Sequence, residues 1–403
     1  MRFISEKQDS LSYSIVQDTH KIKRTISMGK NICEIHLPSD WTISSVHPDI
    51  LAVAALAVIY PYSGPKITLP IGVSKNLHEV FLKLTNKEVL PIDDTLNPRV
   101  APKDAVPVLS YSGGIDSTAA SLLLPPDTHL FYLDRITPKD SKIKSSLNQE
   151  AAYYACRQLE LRGRKVHRIK SDIQFVRNPV GFSTFLTDAV PALLLADYYG
   201  FDSLGNGHTL EEAYQVGYAG YGNIRVSDLY TVWGKILEAI DMPYSLPVAG
   251  LSEVVTTKIV MNSSYREFAQ ACSRGKVHKP CLNCFKCFRK SLLEKIITNS
   301  ELDDPYLNKL FAINDVKNVL KTQRIHFGNV LAFITANYHG NHKQMNVLKN
   351  QVGGNGLDVA WMEKWYSDAF ELMAPKYRDD LKTQILQHAE EMNDEDIQNM
   401  KKY

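Results

Sequence analysis

The chain has 403 residues, 44 % hydrophobic and 22 % charged, with 46 Lys and Arg against 44 Asp and Glu. That mixture excludes a disordered or collagen-like chain, and a net charge of +2 gives no global pull toward nucleic acid or anionic membrane. The longest apolar run, residues 50–60, falls well short of the roughly 20 residues that cross a bilayer. The opening MRFISEKQDS lacks the apolar segment of a secretory leader. Four of the six cysteines crowd into residues 272–287, the spacing of metal ligands in a reducing compartment. A cytoplasmic protein without membrane partners is expected.

In chain order, residues 31–37 and 66–73 are predicted strands, and 49–60 and 76–84 helices, the first entered through Pro48. The polar stretch 91–104 carries three prolines and is the expected boundary of an α+β N-terminal domain, residues 1–103. From Val106 the pattern alternates. Strands are predicted at 106–111, 130–134, 165–170 and 202–207, with helices at 116–124, 147–161 and 182–199. That alternation predicts an α/β domain with a parallel sheet, helices on both faces and its ligand crevice at the carboxyl ends of the strands. Pro107 lacks a ladder N–H, so it fits only where pairing begins or at a bulge. Residues 299–403 read as a helical region. Trp361 and Trp365 are expected on one buried helix face, and 377–392 as an amphipathic helix.

After the strand that ends near Ser110 comes Ser112-Gly113-Gly114-Ile115-Asp116-Ser117-Thr118, which opens the next predicted helix. Two glycines let backbone amides approach an anion, and the free N–H groups of the helix's first turn complete a cradle. Ser112, Ser117 and Thr118 add hydroxyl donors. Asp116 cannot attract phosphate by charge, so its expected work is bracing the loop or assisting Mg²⁺. Neither the Walker nor the dinucleotide spacing is present.

The string SGGIDS resembles the loop of the PP-loop ATP pyrophosphatase superfamily. The resemblance implies splitting of ATP between the α and β phosphates, transfer of AMP to a substrate oxygen, and displacement of AMP by a nitrogen or sulfur nucleophile. It makes Ser110, Ser112, Gly113, Gly114, Ile115, Asp116, Ser117 and Thr118 the expected ATP-binding residues, with Asp116 and Ser117 catalytic. Asp134 closes the next predicted strand and is either a nucleoside contact or a turn-starting residue.

Cys272, Cys281, Cys284 and Cys287 offer four thiolates, enough for one closed tetrahedral Zn²⁺ site. Arg274, Lys276, Lys279, Lys286, Arg289 and Lys290 can offset its negative charge. An iron–sulfur cluster is the rival, although Ser291 stands where a ferredoxin-type run has its fourth cysteine. This C-x8-C-x2-C-x2-C pattern after SGGIDS is similar to 7-cyano-7-deazaguanine synthase, the queuosine branch of the superfamily. The likeness covers residues 104–298. It implies Lys258, ahead of Ile259-Val260, as a phosphate or adenylate contact. Two segments depart from that branch: Leu133 to Pro138 replaces its Tyr-Gly-Gln, and its Tyr-Pro-Asp segment is not evident after Gly205-Asn206-Gly207-His208.

Asn206, His208 and Tyr214 are therefore the candidate substrate contacts, Tyr214 from a glycine- and tyrosine-rich stretch that is either a loop over the crevice or a packed loop. Residues 135–177 hold eleven Lys or Arg against four acids. They form a solvated face, a lid over ATP, or a surface for a phosphate-rich partner such as tRNA. The expected function is an ATP- and Mg²⁺-dependent ligase or synthase, with a structural Zn²⁺. It adenylates a small carboxylate, such as a 7-deazaguanine carboxylate, and forms an amide or nitrile with ammonia or a partner's amine. The extra regions at either end would suit a bacterial defence enzyme with a protein partner. A tRNA-thiolating enzyme and a non-catalytic nucleotide-binding scaffold stay open, as does a homodimer.

Overall fold

The computed structural model of the chain describes residues 2–4, 10–12, 26–139, 141, 147–218, 220–322 and 325–403. Asp140, Lys142 and Lys144 of the basic stretch lie outside them. Before the sheet come helix α1 (Pro48–Ile59), strand β1 (Lys66–Val73), helix α2 (Lys75–Thr85) and strand β2 (Glu88–Ile92), which pairs parallel with β1. The apolar run of the sequence is α1, and every residue from Asp49 to Ile59 is buried. A helix that is apolar all round must be enclosed on every side. Its polar residue, Asp49, accepts from Ser74 N (2.8 Å) and Ser74 Oγ (2.6 Å), which fixes the cap of α2.

Residues 31–37 do not form the expected strand. Cys33, Ile35 and Leu37 alternate inward as a strand's would, but the ladder is a single bridge from Ile35 to Ser171. Pro38 follows directly and offers no N–H to extend it.

The central sheet contains β3 (Val106–Ser110), β4 (His129–Arg135), β5 (Val166–Ser171), β6 (Phe201–Gly205) and β7 (Tyr244–Ser245). All five strands run parallel, in the order β7-β6-β3-β4-β5. The chain winds outward from β3 in one direction and then returns to wind in the other. The strand order therefore reverses between β3 and β6, and a crevice opens there at the carboxyl ends. Pro107 sits opposite Ser203, where the β3–β6 register shifts, so its missing donor falls at an irregularity.

Helices α3 (Ile115–Leu123) and α4 (Glu150–Leu161) are the crossovers. The predicted helix 182–199 is broken into a 3-10 turn, Thr187–Ala189, and two short helices, Val190–Leu194 and Ala196–Tyr199, with Pro191 at the start of the first. Arg99, from the proline-rich stretch, is buried. It donates to Asp197 (2.8 Å) and to the carbonyls of Ile240 (2.9 Å) and Phe201 (2.8 Å). That stretch is thereby clamped to the sheet edge. One apolar core runs from Trp41 and α1 through Phe201 and Leu204 to Leu307 and Phe333.

After β7 come α5 (Glu253–Met261), a cysteine-bearing loop, and α6 (Phe285–Ile297). Beyond residue 300 the described residues hold helices and one isolated bridge, Trp365 to Glu391. Trp361 and Trp365 are buried, but Trp365 follows the 3-10 turn Ala360–Glu363 and shares no helix with Trp361. The expected helix over 377–392 shortens to Arg378–Leu386. Among the described residues no helix is long and apolar enough to cross a membrane.

At the amino end of the sheet, His167 Nε2 meets His129 Nδ1 at 2.9 Å, against Tyr199 and Phe201. Burial pushes both imidazoles down to about 4. Because the folded rings resist protonation, their stabilisation is complete above the unfolded value near 6.5 and fades as pH falls toward about 4. Unfolding in urea should therefore show a loss of about 2 kcal/mol from either ring between pH 7 and pH 5. A His129→Gln/His167→Gln double variant should lose that limb; an unchanged slope would assign it elsewhere.

Candidate functional site

The loop between β3 and α3 lies at the strand-order reversal. Gly113 has φ +77°, and a Cβ there would stand 3.1 Å from Ala152 Cα. Both facts require glycine. Gly114 caps α3 without a side chain. Ser112 Oγ meets Ser117 Oγ at 3.0 Å and accepts from Gly114 N at 3.3 Å, and Ser117 Oγ donates to Gly114 O at 3.2 Å. Gly207, beyond β6, packs so closely that a Cβ would sit 2.9 Å from Ser117 Cα. The two strands on either side of the reversal thus deliver Ser112–Ser117 and Asn206–His208 to one place.

A cleft of about 390 Å³ opens there. Ser110, Ser112, Gly113, Gly114, Asp116 and Ser117 line it, with Asn206 and His208 opposite. Five expected contacts fall elsewhere. Ile115 and Thr118 face away, Thr118 meeting the Tyr111 hydroxyl at 3.2 Å. Asp134 is buried beside Tyr153, outside the cleft lining. Strand alternation turns it from the crevice despite its place near the strand's end. Lys258 forms an ion pair with Glu363 on the flank of α5. Tyr214 is buried between Tyr221 and Tyr366, with ring centroids 5.9 and 4.9 Å away, so its stretch packs on the C-terminal region.

Besides Arg135 at the end of β4, the cations of the site come from α6. Lys286 lines the cleft. Lys290, one turn on and 5 % exposed, donates to Asp116 Oδ1 (2.9 Å) and Oδ2 (3.1 Å) and approaches Glu253 Oε1 at 3.2 Å. Thr256 Oγ1 donates to Asp116 Oδ1 at 2.8 Å. Arg289 grips Glu253 in a fork of 2.9 and 2.8 Å. Behind them buried Glu211 accepts from Glu253 N (3.1 Å) and Asn329 Nδ2 (2.9 Å).

Burial alone would raise Asp116, but the Lys290 and Lys286 charges outweigh it and hold the carboxyl below its ordinary value. Burial and the Glu253 charge push Glu211 up to about 7. Asp116 therefore braces the loop. In the sequence Lys286, Arg289 and Lys290 read as counter-charges to a metal centre. Their spacing of three and four residues on a helix is the signal that they share a face.

Cys272, Cys281 and Cys287 bring their sulfurs within 4.8 Å of one another, a group able to hold a metal ion. Cys281 Sγ stands 3.5 Å from Cys287 Sγ and 3.8 Å from Cys284 Sγ. Sulfurs at about 2.3 Å from a tetrahedral metal ion would be about 3.8 Å apart, close to these two separations, while the fourth expected ligand, Cys284, stands outside the close group of three. Backbone amides of Arg274 (3.4 Å) and Cys281 (3.2 Å) point at Cys272 Sγ. Hydrogen bonding from Cys287 pulls the Cys272 and Cys284 thiols below their ordinary value. Gly275 is required by the turn, since a Cβ would stand 2.3 Å from Lys279 O.

The cysteine loop is also a wall of the cleft. Gln270, Ala271, Cys272 and Ser273 line it, and Gln270 N donates to Gly113 O at 3.1 Å.

A family model described as a family of unknown function (DUF6395) matches residues 232–403, a span that begins before β7 and includes the cysteine loop and α6 but not the Ser112–Ser117 loop. No curated protein and no solved structure matches the chain.

Proposed function

We propose that the protein binds ATP in this cleft, cleaves it between the α and β phosphates, and joins a carboxylate to a nitrogen nucleophile. A carboxylate oxygen of the acceptor attacks the α phosphorus and pyrophosphate leaves. Nitrogen then attacks the acyl carbon, and AMP departs with the electron pair of the broken C–O bond. The reading rests on one observation: the Ser112–Ser117 loop presents its glycines, amides and hydroxyls to a cleft at the strand-order reversal, where α/β sheets take their ligands. Its likeness to the PP-loop string favours the AMP-forming reaction over a kinase. Lys286 would meet the charge that develops on the β phosphate.

Magnesium bound with ATP would share the phosphate charge. Asp116, engaged by Lys290 and Thr256, offers it no free pair of oxygens. The four cysteines would hold a structural Zn²⁺ that organises the wall and takes no part in the reaction. The acceptor would lie between the loop and Asn206–His208, and a 7-deazaguanine carboxylate is the first candidate.

The test is mass spectrometry of nucleotide products with a panel of carboxylated bases, including 7-carboxy-7-deazaguanine. AMP and pyrophosphate are expected; ADP and phosphate alone would overturn the reading.

A further inference from the structure

The β5 edge of the central sheet is only partly covered. In a parallel ladder alternate residues serve alternate neighbours. Lys165 O accepts from Leu130 N (2.8 Å) and Ser171 O from Ile136 N (3.0 Å), so the odd-numbered residues face β4. The even-numbered ones face outward, where Lys170 O accepts from His36 N (2.9 Å) before Pro38 ends that short pairing. Among the described residues no hydrogen bond reaches the outward N–H and C=O of Val166 or Arg168. Beside this open edge runs a groove of about 480 Å³, lined by residues 36–38 and 166–170 together with Glu160 and Asp134.

Asp134 points to a ligand. It is 3 % exposed, and its Oδ1 has no hydrogen-bond partner among the described residues. The Tyr153 hydroxyl beside it donates to Gln149 Oε1. Arg168 is drawn to Glu160 (4.0 Å) and lies over the Tyr153 ring (5.8 Å to its centroid). Lys170, opposite Asp134 in the ladder, is exposed. A buried carboxylate oxygen without a donor carries a desolvation cost that an incoming N–H relieves.

We propose that this groove takes an extended peptide segment of a partner protein, which adds to β5 as a strand and sends a lysine or arginine side chain to Asp134. The open N–H and C=O groups supply the main-chain pairing, and the buried carboxylate supplies selectivity, the division of labour in strand addition. Charge disfavours two other occupants. A second copy would bring its own Arg168 and Lys170 against this edge, and like charges across an edge oppose pairing. An acidic segment would set a carboxylate against Asp134 and Glu160. The groove shares no lining residue with the cleft at the Ser112–Ser117 loop, so its occupancy is independent of the ATP-dependent reading.

The test titrates the isotope-labelled full chain with acetyl-Thr-Val-Lys-Val-Thr-amide, with its norleucine analogue and with its glutamate analogue. Saturable amide shifts and slowed hydrogen exchange are expected at Val166, Arg168 and Lys170 with the lysine peptide. The other two should bind about tenfold more weakly, the loss of one charge-assisted hydrogen bond. Asp134→Asn should remove the lysine preference and leave the lysine and norleucine peptides equal. Arg168→Pro, which deletes an outward N–H that an edge strand can spare, should abolish binding. Circular dichroism checks that both variants fold, and a lysine peptide methylated on its backbone nitrogens, which cannot join a ladder, makes the same test on the unaltered protein and should not bind. Absence of saturable binding, shifts away from β5, equal binding of the glutamate or methylated peptide, or self-association through β5 in sedimentation without peptide would overturn the proposal.

Discussion

Replacing Lys290 by methionine should destabilise the protein by about 3–5 kcal/mol, the cost of breaking a buried ion pair from one side. Lys290 and Glu253 are each about 5 % exposed, and Asp116 is 23 % exposed. Removing the ammonium takes the ion-pair partner from Asp116 and leaves it with the Thr256 hydroxyl, and leaves Glu253 with Arg289 alone. The Asp116 carboxyl, held low by Lys290 and Lys286 against burial, should then titrate higher. Because its folded value lies below its unfolded one, the stability it contributes is present above the unfolded value near 3.9 and lost as pH falls through the folded one. Urea unfolding at pH 7 reads the main effect. The same substitution in an Asp116→Asn/Glu253→Gln background should cost far less, since residues that share partners are not additive. A loss under 1 kcal/mol in the wild-type background would show that the network is not what braces the loop.

The second large effect is expected from the cysteines. Metal analysis should find zinc at about one ion per chain, and Cys284→Ser should abolish stoichiometric binding. Structural zinc supplies about 10–16 kcal/mol in isolated fingers. Here the larger apolar core stays intact, so the damage should concentrate in the loop and at the start of α6. Cys284 caps that helix by accepting from Cys287 N at 3.4 Å. The same helix carries Lys286 and Lys290, and the loop's Gln270 and Ser273 bond Gly113 O (3.1 Å) and Asn148 N (2.9 Å). Binding of a non-hydrolysable ATP analogue should accordingly fall at least tenfold on chelation, with faster hydrogen exchange across residues 269–290. Exchange confined to the cysteines with unchanged binding would refute the coupling. Iron in place of zinc, with absorbance near 400 nm, would make the centre a cluster.

Much of the candidate site is legible locally. The strand–SGGIDS–helix order places the loop without knowledge of its neighbours, because glycine tolerance, hydroxyl donors and a helix start are properties of adjacent residues. The cysteine spacing is equally local, since Cys281, Cys284 and Cys287 stand three positions apart and Cys272 nine positions before the first of them. What fails is orientation. Asp134 and Lys258 have suitable chemistry near suitable elements, but alternation along β4 buries the first beside Tyr153 and the flank of α5 gives the second to Glu363. Tyr214 has a polar tip, yet aromatic neighbours from residues 221 and 366 enclose it.

The sequence by itself therefore determined the α/β alternation, the strand–loop–helix position of Ser112–Ser117, the cysteine group and the helical character past residue 300. Each of these depends on short-range periodicity or spacing. Tertiary structure alone decided the strand order that brings Gly207 against Ser117, the docking of Arg99 on the sheet edge, and the lysine partner of Asp116. Those contacts join residues up to 174 positions apart, as between Lys290 and Asp116. Their identity follows from which faces the core buries together, a property of the whole packing that no local window of sequence contains.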